Sequence, residues 1–95
     1  MGIAAERIDR LTELAREAAR AGEDDRAREY VRLARRIAER HRLRLPKRLR
    51  RFACDGCDRY LLPGRSARVR TQEGHVVVTC LECGERARYP YEDGG

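Results

Sequence analysis

Ninety-five residues suffice for one small domain or two half-domains around a modest core. Hydrophobic residues make up 41% of the chain and charged residues 40%, with no apolar run near the ~20 residues of a membrane span and no secretory h-region, so a cytoplasmic protein without a membrane partner is expected. The net charge of +6 is concentrated in residues 26–51, which hold twelve basic and two acidic side chains; such a block suits a polyanion partner or, more commonly for charge runs, a solvated helix face.

Residues 3–21 read as an amphipathic helix, because Ile3, Ile8, Leu11, Leu14, Ala15 and Ala18 recur at spacings of three and four. Gly22 stands where a C-terminal cap belongs, and Asp24 or Asp25 is expected to cap a second helix running to about His41. Its stripe is Ala27, Tyr30, Val31, Ala34, Ile37 and Ala38. The short link makes an antiparallel hairpin over residues 1–41. Alanine-rich stripes bury little area, so the hairpin either packs on the rest of the chain or awaits another protein. The second reading is favoured, with Ile8, Leu11, Leu14, Tyr30, Val31 and Ile37 as the candidate partner-binding stripe.

Residues 42–51 form a basic connector in which Pro46 stops the helix and Arg48, Arg50 and Arg51 lead up to Cys54. All but one of the 22 basic residues are arginine, Lys47 being the exception. Arginine makes forked contacts to phosphate and stacks on bases, although a GC-rich genome produces the same bias. The lack of asparagine and the single Gln72 hint at a hot or salty habitat without choosing between them.

All four cysteines lie in two Cys-x-x-Cys pairs, Cys54/Cys57 and Cys80/Cys83, separated by 22 residues. Two such turns supply four soft thiolates to a tetrahedral ion, and a full thiolate shell leaves no position for substrate. One structural Zn²⁺ is the favoured reading over disulfides or unrelated thiols. His41 and His75 are then superfluous as ligands.

The ribbon is expected over residues 52–91, with residues 92–95 as a flexible tail. Pro63-Gly64 marks a turn before a strand at 66–72, and Glu73-Gly74 fits a two-residue hairpin turn. That register sets Ala67 opposite Cys80, Val69 opposite Val78, and Thr71 opposite Val76 on an inner face. Arg68, Arg70, Gln72, His75, Val77 and Thr79 then face outward, and a third strand adds Arg86 and Arg88 to the same side. The fold class is α+β: a helical hairpin followed by a three-stranded antiparallel zinc ribbon. The nucleic-acid-binding candidates are Arg48, Arg50, Arg51, Arg68, Arg70, Arg86 and Arg88, with Tyr60, Tyr89 and Tyr91 left between base stacking and packing. The sequence holds no recognisable catalytic constellation.

Arg51-Phe52, the four cysteines, Tyr60-Leu-Leu-Pro-Gly64, Ala67-Arg-Val-Arg70, Val76-Val-Val-Thr-Cys80 and Arg88-Tyr-Pro-Tyr91 together resemble the archaeal ribonuclease P protein component 4 family. The resemblance covers essentially the whole chain. It implies a protein subunit of the ribonucleoprotein that removes 5′ leaders from precursor tRNA, with the RNA subunit performing the magnesium-dependent cleavage. It also implies pairing with protein component 1 through the N-terminal helices, zinc at Cys54, Cys57, Cys80 and Cys83, and catalytic-RNA contacts at Arg68 and Arg70. Precursor tRNA would be met only indirectly. A transcription-associated zinc ribbon that binds DNA or polymerase is the alternative, and a pure protein adaptor is a third.

Overall fold

The computed structural model describes residues 2–90. Two helices open the chain, α1 (Ile3–Arg20) and α2 (Asp24–Arg40). Both close with the same backbone motif. Glu23 N–H donates to Ala18 O at 2.8 Å and Gly22 N–H to Ala19 O at 3.0 Å after α1. Leu43 N–H donates to Ala38 O at 2.8 Å and Arg42 N–H to Glu39 O at 3.3 Å after α2. The motif needs a left-handed residue just past the helix, supplied by Gly22 (φ 83°) and by Arg42 (φ 55°). The start of α2 differs from expectation. Neither Asp24 nor Asp25 caps it; both sit in its first turn, and Glu23 is the cap position without a side-chain bond.

The hairpin interface is small-residue packing of Ile8, Thr12, Ala15, Ala18 and Ala19 against Ala27, Val31, Ala34 and Ala38. Thr12 is satisfied by donating its hydroxyl to Ile8 O at 2.8 Å. This core does not stop at the hairpin. The connector forms a one-turn helix, α3 (Lys47–Arg50), and its Leu49 is fully buried among the hairpin residues together with Ala53 and Tyr60. The hairpin therefore packs on the metal-binding half of the chain, contrary to the expectation that it awaits a partner. Apolar side chains from α3 and the first cysteine turn supply the area that alanine stripes lack. Ile8 (2% exposed) and Val31 (0%) lie inside this core and offer no surface to a partner.

The second half is an antiparallel sheet in the order β1 (Ala67–Gln72), β2 (His75–Cys80), β3 (Arg86–Pro90). Its register pairs Ala67 with Cys80, Val69 with Val78 and Thr71 with Val76, as the Glu73-Gly74 turn requires. Only Gly74 in that turn has positive φ, 73°. β3 continues the rows, placing Ala87 beside Val78 and Tyr89 beside Val76. One element of the face assignment fails: Val77, on the outer face, is 6% exposed. It lies between Arg70 and Arg88 in the register, and long arginine stems cover apolar surface while their heads stay wet. Conversely Val69, on the inner face, is 44% exposed, so the cover over that face is uneven. Tyr91 and the tail at 92–95 lie outside the described residues. Among those described, no helix is long and apolar enough to cross a membrane.

Candidate metal centre and nucleic-acid interface

The two cysteine turns are built alike. In the first, Cys54 N–H donates to Arg59 O and Asp58 N–H to Cys54 O, each at 2.9 Å. In the second, Cys80 N–H donates to Glu85 O and Gly84 N–H to Cys80 O, again at 2.9 Å. The residue after each second cysteine is left-handed, Asp58 at φ 63° and Gly84 at φ 82°. The turns bring the four sulfurs within 4.8 Å of one another. Cys54 Sγ lies 3.4 Å from Cys83 Sγ, and Cys57 Sγ lies 3.8 Å from Cys80 Sγ. A tetrahedron with metal–sulfur bonds of about 2.3 Å has edges of roughly 3.8 Å, so the four cysteines fit a metal ion. Gly56 belongs to this fit, because a Cβ there would come within 3.3 Å of Cys83 Sγ.

Without metal the thiols are unequal. Burial pushes Cys54 up to about 12. Burial also opposes ionisation of Cys80, but the backbone N–H groups of Cys83 and Glu82 and the neighbouring thiols bring it down to about 7. Cys80 is thus readier than Cys54 to become a thiolate, the form that binds metal.

A second stripe on α2 grips the first turn. Arg28 Nε donates to Cys57 O at 3.0 Å, and an Arg35 terminal nitrogen to Cys54 O at 3.3 Å. Arg32 Nε donates to Asp58 Oδ2 at 3.1 Å, while Arg35 Nε stands 2.9 Å from Asp58 Oδ1 with its N–H aimed elsewhere, a coulombic contact. Arg59 joins the assembly by pairing with Asp24 at 2.9 Å and with Glu82. Guanidinium groups thus surround a site that four thiolates and a divalent ion would leave at net −2. This clamp is not among the expectations drawn from the sequence. Its visible trace there is the spacing of 28, 32 and 35, which puts three arginines on one helix face.

The RNA candidates separate into two groups. Arg68, Arg70, Arg86 and Arg88 are exposed and share the outer sheet face, in rows Arg68–Thr79–Arg86 and Arg70–Val77–Arg88. The connector does not extend that face. Arg51 lies over the Tyr89 ring, 5.2 Å from its centroid, and Tyr89 belongs to the inner face. Arg48 pairs with Asp9 at 3.5 Å, and Arg50 is exposed. Tyr60 is buried and stacked on Phe52 (centroids 6.2 Å apart), so its role is packing. His75 Nδ1 lies 3.0 Å from Glu73 O within its own turn.

Of the proposed partner stripe, Leu11, Tyr30 and Ile37 are half-buried against the core, and Leu14 is half-buried as well. Leu11 and Ile37 join Leu33, Arg7 and Arg10 around an open groove of about 290 Å³ on the hairpin. Leu33, 40% exposed, is absent from the expected stripe because it falls off the apolar period of α2.

A helical hairpin sharing its core with a ribbon that gathers four cysteines, one of whose sheet faces carries four arginines, defines a ribbon protein able to hold a metal ion and bearing a basic face. Residues 7–84 match the family described as "RNAse P Rpr2/Rpp21/SNM1 subunit domain". A ribonuclease P protein component 4 from Halobacterium salinarum is 74% identical over 89 residues, covering 94% of this chain and 95% of the relative. Another, from Methanocaldococcus jannaschii, is 54% identical over 91 residues, covering 93% and 71% respectively. A chain in a cryo-EM structure of archaeal ribonuclease P with mature tRNA superposes with a TM-score of 0.89 at 53% identity, covering 94% of this chain and 77% of that one. The chain belongs to the ribonuclease P protein component 4 family, and so is a protein subunit concerned with tRNA processing.

Proposed function

We propose that this chain is the zinc-dependent RNA-binding subunit of a cytoplasmic ribonuclease P, supporting RNA-catalysed removal of the 5′ leader from precursor tRNA. The observation that carries the RNA reading is the exposed quartet Arg68, Arg70, Arg86 and Arg88 on one sheet face. Its contacts are to phosphate and RNA shape, because A-form grooves hide the base edges. Precursor tRNA is served through the catalytic RNA. The ion is zinc, held at Cys54, Cys57, Cys80 and Cys83, and its role is structural because thiolates fill the shell. Protein component 1 sits on the hairpin groove at Leu11, Leu33 and Ile37.

The test is binding to the catalytic RNA across a salt series. Arg68→Ala with Arg70→Ala should flatten the log–log salt slope by roughly one to two units, since each phosphate contact contributes about 0.7–0.9. Metal content should be unchanged. An unaltered slope would move the RNA surface elsewhere.

A further inference from the structure

On the inner side of the sheet, a cleft of about 550 Å³ opens between α3 and the edge strand β3. It is lined by Arg35, Leu45, Arg50, Arg51, Asp55 and Tyr89. Its volume falls within the ~300–1,000 Å³ of small-ligand sites. Tyr89 shares the inner-face row with Thr71 and Val76, so the cleft opens on the side away from Arg68, Arg70, Arg86 and Arg88.

We propose that this cleft receives one unpaired nucleotide of the bound RNA, its base stacked on the Arg51–Tyr89 pair. The inference rests on the RNA reading above and adds a second, single-strand-specific contact to it.

The lining matches the parts of a nucleotide. The Arg51 guanidinium carbon lies 5.2 Å from the Tyr89 ring centroid, so the cleft presents an aromatic ring and an arginine side by side, and unpaired bases stack on both aromatic rings and arginine planes. Leu45 is half-buried and gives the cleft an apolar wall. The Arg50 guanidinium is exposed and has no ion-pair or hydrogen-bond partner among the described residues, which leaves a cation for the flanking phosphate. Asp55 is held by Arg35 at 3.3 Å and keeps its other oxygen as an acceptor for a base-edge amine. Burial and the Asp55 charge both raise the Tyr89 phenol, so the ring offered for stacking stays uncharged. The same Asp55 carboxylate repels an acidic peptide, which favours a base over an anionic protein segment. A duplex keeps its base faces stacked inside and has nothing to insert.

The test uses the full chain with two probes, an oligoadenylate of about ten nucleotides and a blunt RNA duplex of similar length. Tyr89→Ala and, separately, Arg51→Ala should each weaken oligoadenylate binding about tenfold, the scale of one lost base stack. Duplex affinity should stay constant, and Tyr89→Phe should bind as the parent does. Ultraviolet cross-linking of the unaltered protein to the oligoadenylate should give an adduct on the peptide holding Tyr89. That measurement decides the matter even if Tyr89→Ala loses its metal. Equal losses for both probes, or adducts confined to other peptides while the catalytic RNA still binds, overturn the cleft alone. Failure to bind the catalytic RNA, oligoadenylate and duplex alike overturns the RNA reading and the cleft with it.

Discussion

Arg35 Nε on α2 lies 2.9 Å from Asp58 Oδ1, so a helix residue holds the aspartate that closes the first cysteine turn in a left-handed conformation. Such a backbone is strained for any residue with a Cβ, and the second turn uses Gly84 at the equivalent place. The pairs with Arg32 and Arg35 offset that strain. Asp58→Asn keeps the side-chain shape and tolerance of the backbone but removes the charge. It should cost about 1 kcal/mol, the upper range for part-exposed pairs. In a chain of this size that lowers Tm by about 4–8 °C. An unchanged Tm at low salt would show that the clamp does not hold the halves together.

Arg42 is the left-handed residue that ends α2, where glycine is the usual occupant. Arg42→Gly should raise stability by about 0.5–1 kcal/mol, the relief of strain exceeding the added freedom of the unfolded chain. Denaturant midpoints measure this. A fall in the midpoint would mean that the Arg42 side chain contributes more than its backbone costs.

Glu82 is shared by two arginines; Arg59, then Arg28, hold its carboxyl below the usual range. Its folded pKa is depressed, so the stabilisation is present above the ordinary carboxylate pKa and lost as pH falls through the folded value. The Tm gap between the parent and Glu82→Gln should be widest near neutral pH and close as the pH falls through the depressed folded pKa. A gap that does not change with pH would assign the difference to shape instead of charge.

Stripping the metal should melt β1–β3 and leave most helical signal at about 25 °C, with a lower Tm for the helices. The reason is the divided support of the core: Leu49, Ala53 and Tyr60 belong to the hairpin cluster, whereas Cys54, Leu61, Ala67 and Cys80 form another. Cys80→Ser should mimic the chelator. Far-ultraviolet circular dichroism reads the helices and amide NMR dispersion reads the sheet. Retention of the full sheet spectrum without metal would refute the structural role.

Leu33 sits on the groove rim without being part of the buried core, unlike Val31 beside it. Leu33→Asp should leave Tm nearly unchanged and weaken binding of protein component 1 by more than tenfold, since a leucine buried at an interface is worth about 1.5–3 kcal/mol. Calorimetric titration would decide, and full affinity in the variant would place the interface off this groove.

One physical division separates the legible features from the hidden ones. Cys54, Cys57, Cys80 and Cys83 are legible because spacing alone sets their geometry, and the β1–β2 register comes from one turn at Glu73-Gly74. Contacts between distant segments leave no period to read. Leu49 is a single leucine in an arginine run, yet it is the largest fully buried side chain. Arg28, Arg32 and Arg35 look like part of a solvated or RNA-facing charge block until the first cysteine turn is placed beside them. Asp24 looks like a cap because its use by Arg59 spans 35 residues. Val77 looks exposed because alternation assigns faces but not what arginine stems cover.

The grip of α2 on the carbonyls of Cys54 and Cys57 gives the four ligands two different supports. Neither hydrogen bond involves a sulfur, so the first pair stands on the helix through its backbone alone. The second pair stands on the β1–β2 hairpin, where Ala67 pairs with Cys80. An ion held by all four would therefore rivet the helical half of the chain to the sheet half at a single point.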